Sequence, residues 1–142
     1  MSRDVAERHK FNHDDVLISI SDCGVDAPEL SSQPLDMLVL AFNDSVTPHD
    51  VHEFGWKRMD STDGLKIVEF VLKHTDAPNI IVHCNLGESR SKGAALAISE
   101  ITKRDVLHVD DAGRITNHKE REYDYYNRRV YEMILMEHMR LE

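Results

Sequence analysis

Near the middle of the chain, Ile80, Ile81, Val82 and His83 run without a spacer into a short polar stretch, CNLGESR, and from about Ser91 into an alanine-rich segment containing GAALAISEI. Four residues are too few for a helix, and their β-branched, apolar character suits a buried strand. The small side chains that follow suit a helix lying close on a sheet. A strand that passes through one short loop into a helix is half of a βαβ unit, and such units build parallel sheets covered on both faces. Two more apolar runs, VLISI at 16–20 and MLVLAF at 37–42, supply further buried strands. Strands alternating with helices in this way predict an α/β domain.

The remaining segments fit that frame. Asp22, Gly24, Asp26 and Pro28 mark a turn-rich stretch after the first run. Residues 43–60 show no stable period and read as a long surface loop, a kind of segment that in a small domain often carries function. Ser61 or Thr62 is placed to cap a helix over DGLKIVEFVLKH, in which Leu65, Val68, Val71 and Leu72 share a face. Asp76, Ala77 and Pro78 break it before the strand at 80–83. Tyr123, Tyr126, Val130, Met133 and Ile134 suit an amphipathic C-terminal helix. The expected fold is one compact three-layer domain over 1–142, with a short, mainly parallel central sheet flanked by helices.

Composition narrows the classes of partner. The chain carries a net charge of −9, which argues against nucleic acid, because backbone binding needs a basic surface. No apolar run approaches the roughly 20 residues that span a bilayer, and MSRDVAERHK has no apolar core of a secretory signal. The cytoplasm is therefore the expected location, with no membrane partner. Two cysteines, Cys23 and Cys84, make no disulfide framework, so each is either packed or chemical. His49 and His52 are three residues apart in a loop, and HEFGW is not a zinc-binding HExxH; no metal or other cofactor is expected.

The stretch from 83 to 91 has the parts of an anion site with a nucleophile in it. A helix N-terminus presents unpaired N–H groups and the positive end of the helix dipole, which favour a phosphate dianion. The same field favours thiolate over thiol at Cys84. Gly87 permits a backbone turn that points successive N–H groups inward. Arg90 offers a planar fork that grips two phosphoryl oxygens as lysine does not. The cradle would comprise Asn85, Leu86, Gly87, Glu88, Ser89 and Arg90.

HCNLGESRS resembles the signature loop of cysteine-dependent protein tyrosine phosphatases, in which His-Cys is followed by five residues and then Arg-Ser. Gly87, three residues after the cysteine, and Ser89, just before the arginine, match the dual-specificity form. With VLISISDCGVDAPEL ahead of a second strand and a helix leading into the signature strand, residues 16–103 are similar to small bacterial and phage members of that superfamily. Other loops fit less well. A nucleotide P-loop needs Gly-Lys-Ser/Thr, whereas here Lys92 precedes Gly93. In low-molecular-weight phosphatases and arsenate reductases the loop follows the first strand, and His83 with the Gly-x-Ser-Arg-Ser ending separates the chain from rhodaneses.

The resemblance implies roles. Cys84 would attack phosphorus and form a phosphocysteine. Arg90 would hold the phosphoryl group. His83 would order the loop and help depress the thiol pKa, and Ser91 would stabilise the departing thiolate, its plainer alternative being a helix cap. The leaving oxygen needs a general acid, which the family takes from an upstream loop. Asp44, Asp50, Asp60 and Asp63 all lie in range, and Asp44, directly after the second strand, is preferred, with Asp50 next. Glu88 departs from the neutral residue of many relatives and should weaken dianion binding unless it points outward or pairs with Lys92. Cys23 is expected to be packed at a strand end, the alternative being a reversible disulfide with Cys84.

The expected activity is hydrolysis of phosphotyrosine, and of phosphoserine or phosphothreonine, in a phosphorylated protein, or of a small phosphomonoester. Inositol lipids are disfavoured because the loop holds no lysine. The alternative is a catalytically silent phosphate- or phosphoprotein-binding module.

Overall fold

A computed structural model describes residues 1–46, 55–105, 107–117 and 125–142. At its centre is β1 (Val16–Ser21), six residues buried on both faces. It pairs in parallel with β2 (Asp36–Ala41), Val16 opposite Asp36 and Ser21 opposite Ala41. On its other side lies β3 (Ile80–His83), with Val16 opposite Ile80 and Ser19 opposite His83. The sheet order is β2-β1-β3. The fold is thus α/β with a short parallel sheet, as expected. β2 corrects one part of the sequence reading: it is an edge strand, and Val39 stands half exposed. An edge has a partner on one side only, so its apolar pattern overstates its burial.

Alternation along the strands sorts the two faces. Val16, Ile18 and Ile20 point with Leu40 and Val82 into the main core. That core is closed by three helices: α2 (Ser61–Lys73), α3 (Arg90–Thr102) and α4 (Arg128–Arg140). A smaller cluster of Met1, Val5 and Ala6 packs with Leu30, Ile81 and Val109. It belongs to α1 (Arg3–Arg8), a short helix capped by the Ser2 side chain. Neither α1 nor the antiparallel hairpin of β4 (Leu107–Val109) and β5 (Ile115–Asn117) was read from the sequence.

Helix α2 begins two residues earlier than expected, and the cap is neither Ser61 nor Thr62. Asp60 accepts from Asp63 N–H at 3.0 Å, and Asp63 accepts from Asp60 N–H at 3.1 Å. This is a reciprocal capping box, which satisfies two end donors at once. Its buried face is Gly64, Ile67, Val68 and Val71, with Phe70 beside it, while Leu72 is exposed. Two glycines let α4 lie close. A Cβ on Gly93 of α3 would sit 2.5 Å from the Asn127 carbonyl oxygen, and one on Gly64 of α2 would sit 3.0 Å from that of Met133. The expected start of α4 moves to Arg128; Tyr126 precedes it and Tyr123 lies outside the described residues. No helix among the described residues is long and apolar enough to cross a membrane.

Candidate active site

Strand β3 ends at His83 and hands the chain to Cys84, whose side chain is buried. The loop then turns back on itself through Gly87, at φ 72°, and α3 starts at Arg90. Gly87 N–H donates to Cys84 Sγ at 3.3 Å. A Cβ at Gly87 would lie 2.6 Å from the carbonyl carbon of Met1. Both the left-handed backbone and this close approach therefore require glycine. The N-terminal segment also bonds the loop directly: Cys84 N–H donates to Met1 O at 3.2 Å, and Arg3 N–H to Asn85 O at 2.9 Å.

Burial alone would push the Cys84 thiol up. The Ser91 hydroxyl and N–H, the Arg90 charge and the Gly87 N–H outweigh it, so the thiol sits below its ordinary pKa. Ser91 Oγ is 3.3 Å from the sulfur. Ser91 is not the helix cap; that position falls to Ser89, whose hydroxyl makes no cap bond and donates instead to Asp44 Oδ1 at 2.8 Å. The first N–H groups of α3 are thus left without a side-chain cap, and the Ser91 N–H faces the sulfur.

Arg90 is 5% exposed. Among the described residues both of its hydrogen bonds use Nη1, to Asp22 Oδ1 at 2.7 Å and to the Phe42 carbonyl at 2.8 Å. Nε is buried and has no partner among the described residues. A buried guanidinium N–H without an acceptor is costly.

His83 is fully buried. Its Nδ1 lies 3.2 Å from the Cys84 carbonyl and its Nε2 2.7 Å from Ser19 Oγ. Burial lowers its pKa to about 4, with the Arg3 and Arg90 charges adding to the fall. The ring is therefore neutral near pH 7. A carbonyl only accepts, so Nδ1 carries the proton and Nε2 accepts from Ser19. His83 can order the loop through the Cys84 carbonyl, but it has no charge with which to depress the thiol.

Asp44 lies beyond the end of β2. Its Oδ1 accepts from Ser89 Oγ at 2.8 Å and from Asn127 Nδ2 at 2.7 Å. Asn127 is itself the cap of α4, accepting from Val130 N–H at 3.1 Å. Cys84, Arg90, Asp44, Asp22, Trp56 and Tyr125 are among the residues lining one cavity of about 330 Å³. A larger one, about 600 Å³, lies beside β3 and α3 and holds neither Cys84 nor Arg90. Size does not decide the site; the thiol of lowered pKa and the buried cation line the smaller cavity.

The other sequence candidates divide. Asn85, Leu86, Glu88 and Ser89 line the cavity, Leu86 largely exposed. Glu88 is largely exposed at the cavity rim and pairs with Lys92 at 3.5 Å. Asp60 and Asp63 are occupied as the α2 cap, Asp63 also bonding Lys57 at 2.9 Å. Asp50, His49 and His52 lie outside the described residues. Cys23 is exposed rather than packed, because it follows the end of β1 in a turn. Three residues that the sequence reading had not placed in the site bond its members: Asp22, read only as a turn marker, Ser19 and Asn127. Each left a signal. Asp22 follows the carboxyl end of a parallel strand, where sites form, Ser19 is polar within an apolar run, and Asn127 stands where a helix cap stands.

Comparison with protein-family models, with curated proteins and with solved structures returns no match for this chain.

Proposed function

We propose that the chain is a phosphomonoester hydrolase of the cysteine-dependent, dual-specificity type, acting on phosphorylated protein. The observation that carries this reading is the partnerless Nε of buried Arg90 in the cavity that also holds a thiol of lowered pKa, Cys84. The Cys84 thiolate attacks phosphorus, the S–P bond forms, and the ester O–P bond breaks while Asp44 gives its proton to the leaving oxygen. Arg90 and the first N–H groups of α3 hold the phosphoryl oxygens as charge shifts. Water then attacks phosphorus and Asp44 takes its proton. The S–P bond breaks, and the Ser91 hydroxyl receives the thiolate. The chemistry calls on no metal.

The test is hydrolysis of p-nitrophenyl phosphate with EDTA present, wild type beside Cys84→Ser. Vanadate-sensitive turnover that disappears in the variant is expected. Asp44→Asn should lower kcat for a poor leaving group by about 10²–10⁴; wild-type turnover in that variant would remove Asp44 from the mechanism. A folded wild type that binds tungstate and turns nothing over would instead identify a silent phosphate-binding module.

A further inference from the structure

The charges around the cavity carry the reading one step further, to the kind of phosphoprotein segment that enters it. The inference rests on the hydrolase reading above. Among the described lining residues there are three carboxylates, Asp22, Asp44 and Glu88, against one cation, Arg90. Arg90 is already paired on Nη1 with Asp22. Lys92, which reaches Glu88 at 3.5 Å, lines the other cavity and not this one. On the hydrolase reading one phosphoryl group is taken by Arg90, whose buried Nε has no partner among the described residues. Beyond that position a second phosphate, or an acidic side chain beside the first, meets Glu88 and Asp22, and among the described residues lining the cavity no second cation receives it.

The rim is open to solvent. The Glu88 side chain is 62% exposed and that of Asp22 39%. Trp56 and Tyr125 stand with them, Tyr125 66% exposed. Carboxylates beside aromatic faces are what an arginine or lysine side chain binds, by ion pairing and by lying over the ring. We infer that the substrate is a phosphorylated peptide segment with basic residues next to the phosphorylated one, and that Glu88 is the main residue selecting for them. Nucleotides and polyphosphorylated sugars are poor substrates on the same grounds.

Three tyrosine phosphopeptides, identical except for Arg, Ala or Glu on either side of the phosphotyrosine, test this. At low ionic strength kcat/KM should fall from the basic to the acidic peptide by about tenfold, and the spread should shrink to about twofold at 1 M salt, where screening acts over about 3 Å. In Glu88→Lys the ratio between basic and acidic peptides should collapse or invert, whatever that variant does to the absolute rate. Equal rates for the three peptides in a wild type that hydrolyses p-nitrophenyl phosphate would overturn the inference and leave the hydrolase reading standing. If nothing is turned over, binding of the same peptides to Cys84→Ser carries the comparison, and equal affinities there overturn it.

Discussion

Cys84 is held between two opposing effects. Burial favours the neutral thiol, and the donors around the sulfur favour the anion. Ser91 is the largest of those donors, so it sets where the balance falls. Removing its hydroxyl in Ser91→Ala should raise the pH at which Cys84 becomes reactive, read as the pH midpoint of iodoacetamide alkylation in a Cys23→Ser background. In the parent protein that midpoint should lie below the ~8.5 of a free cysteine. An unmoved midpoint in Ser91→Ala would show that the helix and Arg90 act alone. His83 gives a second residue-level prediction, with a definite sign. Its folded pKa of about 4 is below the unfolded value of 6.5. Between these values the unfolded chain binds more protons, so stability is full above pH 6.5 and falls as pH drops toward 4. A shift of this size corresponds to about 3 kcal/mol. Urea unfolding at pH 7, 5.5 and 4 should show a shallower loss in His83→Asn than in the parent, and parallel losses would assign the acid sensitivity to carboxylates instead.

At the scale of elements, α4 does more than cover the core. Its cap, Asn127, accepts from Val130 N–H with Oδ1 and donates to Asp44 with Nδ2, so one side chain starts the helix and holds the proposed acid. The two tasks can be separated. Asn127→Ala should lose about 1 kcal/mol of capping together with kcat, while Asn127→Ser keeps a capping oxygen and loses the reach to Asp44. Denaturant midpoints should therefore distinguish the two variants, whereas kcat should fall in both with KM little changed. Equal kcat in Asn127→Ser and the parent would make Asn127 a cap and nothing more. This link also marks the boundary of what the sequence discloses. β1, β3 and the turn into α3 were readable because their signals are local: a run of β-branched residues, a glycine at a turn, small residues on a helix. The cap of α2 was misplaced because Ser61, Thr62 and Asp60 are all good caps, and only the position of Asp63 decides among them. Asp22 on Arg90, Asn127 on Asp44 and Ser19 on His83 are separated by 68, 83 and 64 residues. No local pattern encodes such pairs, so the strand–loop–helix from 80 to 102 was legible and the distant residues that bond it were not.

At the scale of the whole molecule, the loop is the place where distant parts of the chain meet. Met1 and Arg3 bond its backbone, the turn after β1 supplies Asp22, the segment after β2 supplies Asp44 and the Phe42 carbonyl, and the start of α4 supplies Asn127, whose N–H donates to Ser89 O at 3.1 Å. A ligand seated in that loop interacts with the folded arrangement alone, because none of these segments is together in the unfolded chain. Its binding energy is then added to global stability by mass action, about 2.7 kcal/mol at a hundredfold excess over Kd. For a domain near 150 residues that corresponds to roughly 5–10 °C in Tm. Tungstate should therefore raise the Tm of Cys84→Ser in a concentration-dependent way, without the covalent step intervening. Arg90→Met should abolish the rise, because it removes the partnerless Nε together with the charge. The carboxylate of Asp22, 2.7 Å from Nη1, must share the guanidinium with the ligand. Asp22→Asn should for that reason move the tungstate dependence to lower concentration if the pair competes with the ligand, and to higher concentration if the pair holds the fork in place. No rise in Tm with millimolar tungstate in a folded Cys84→Ser would mean that the loop is not an oxyanion cradle, and the hydrolase and binding-module readings would fall together.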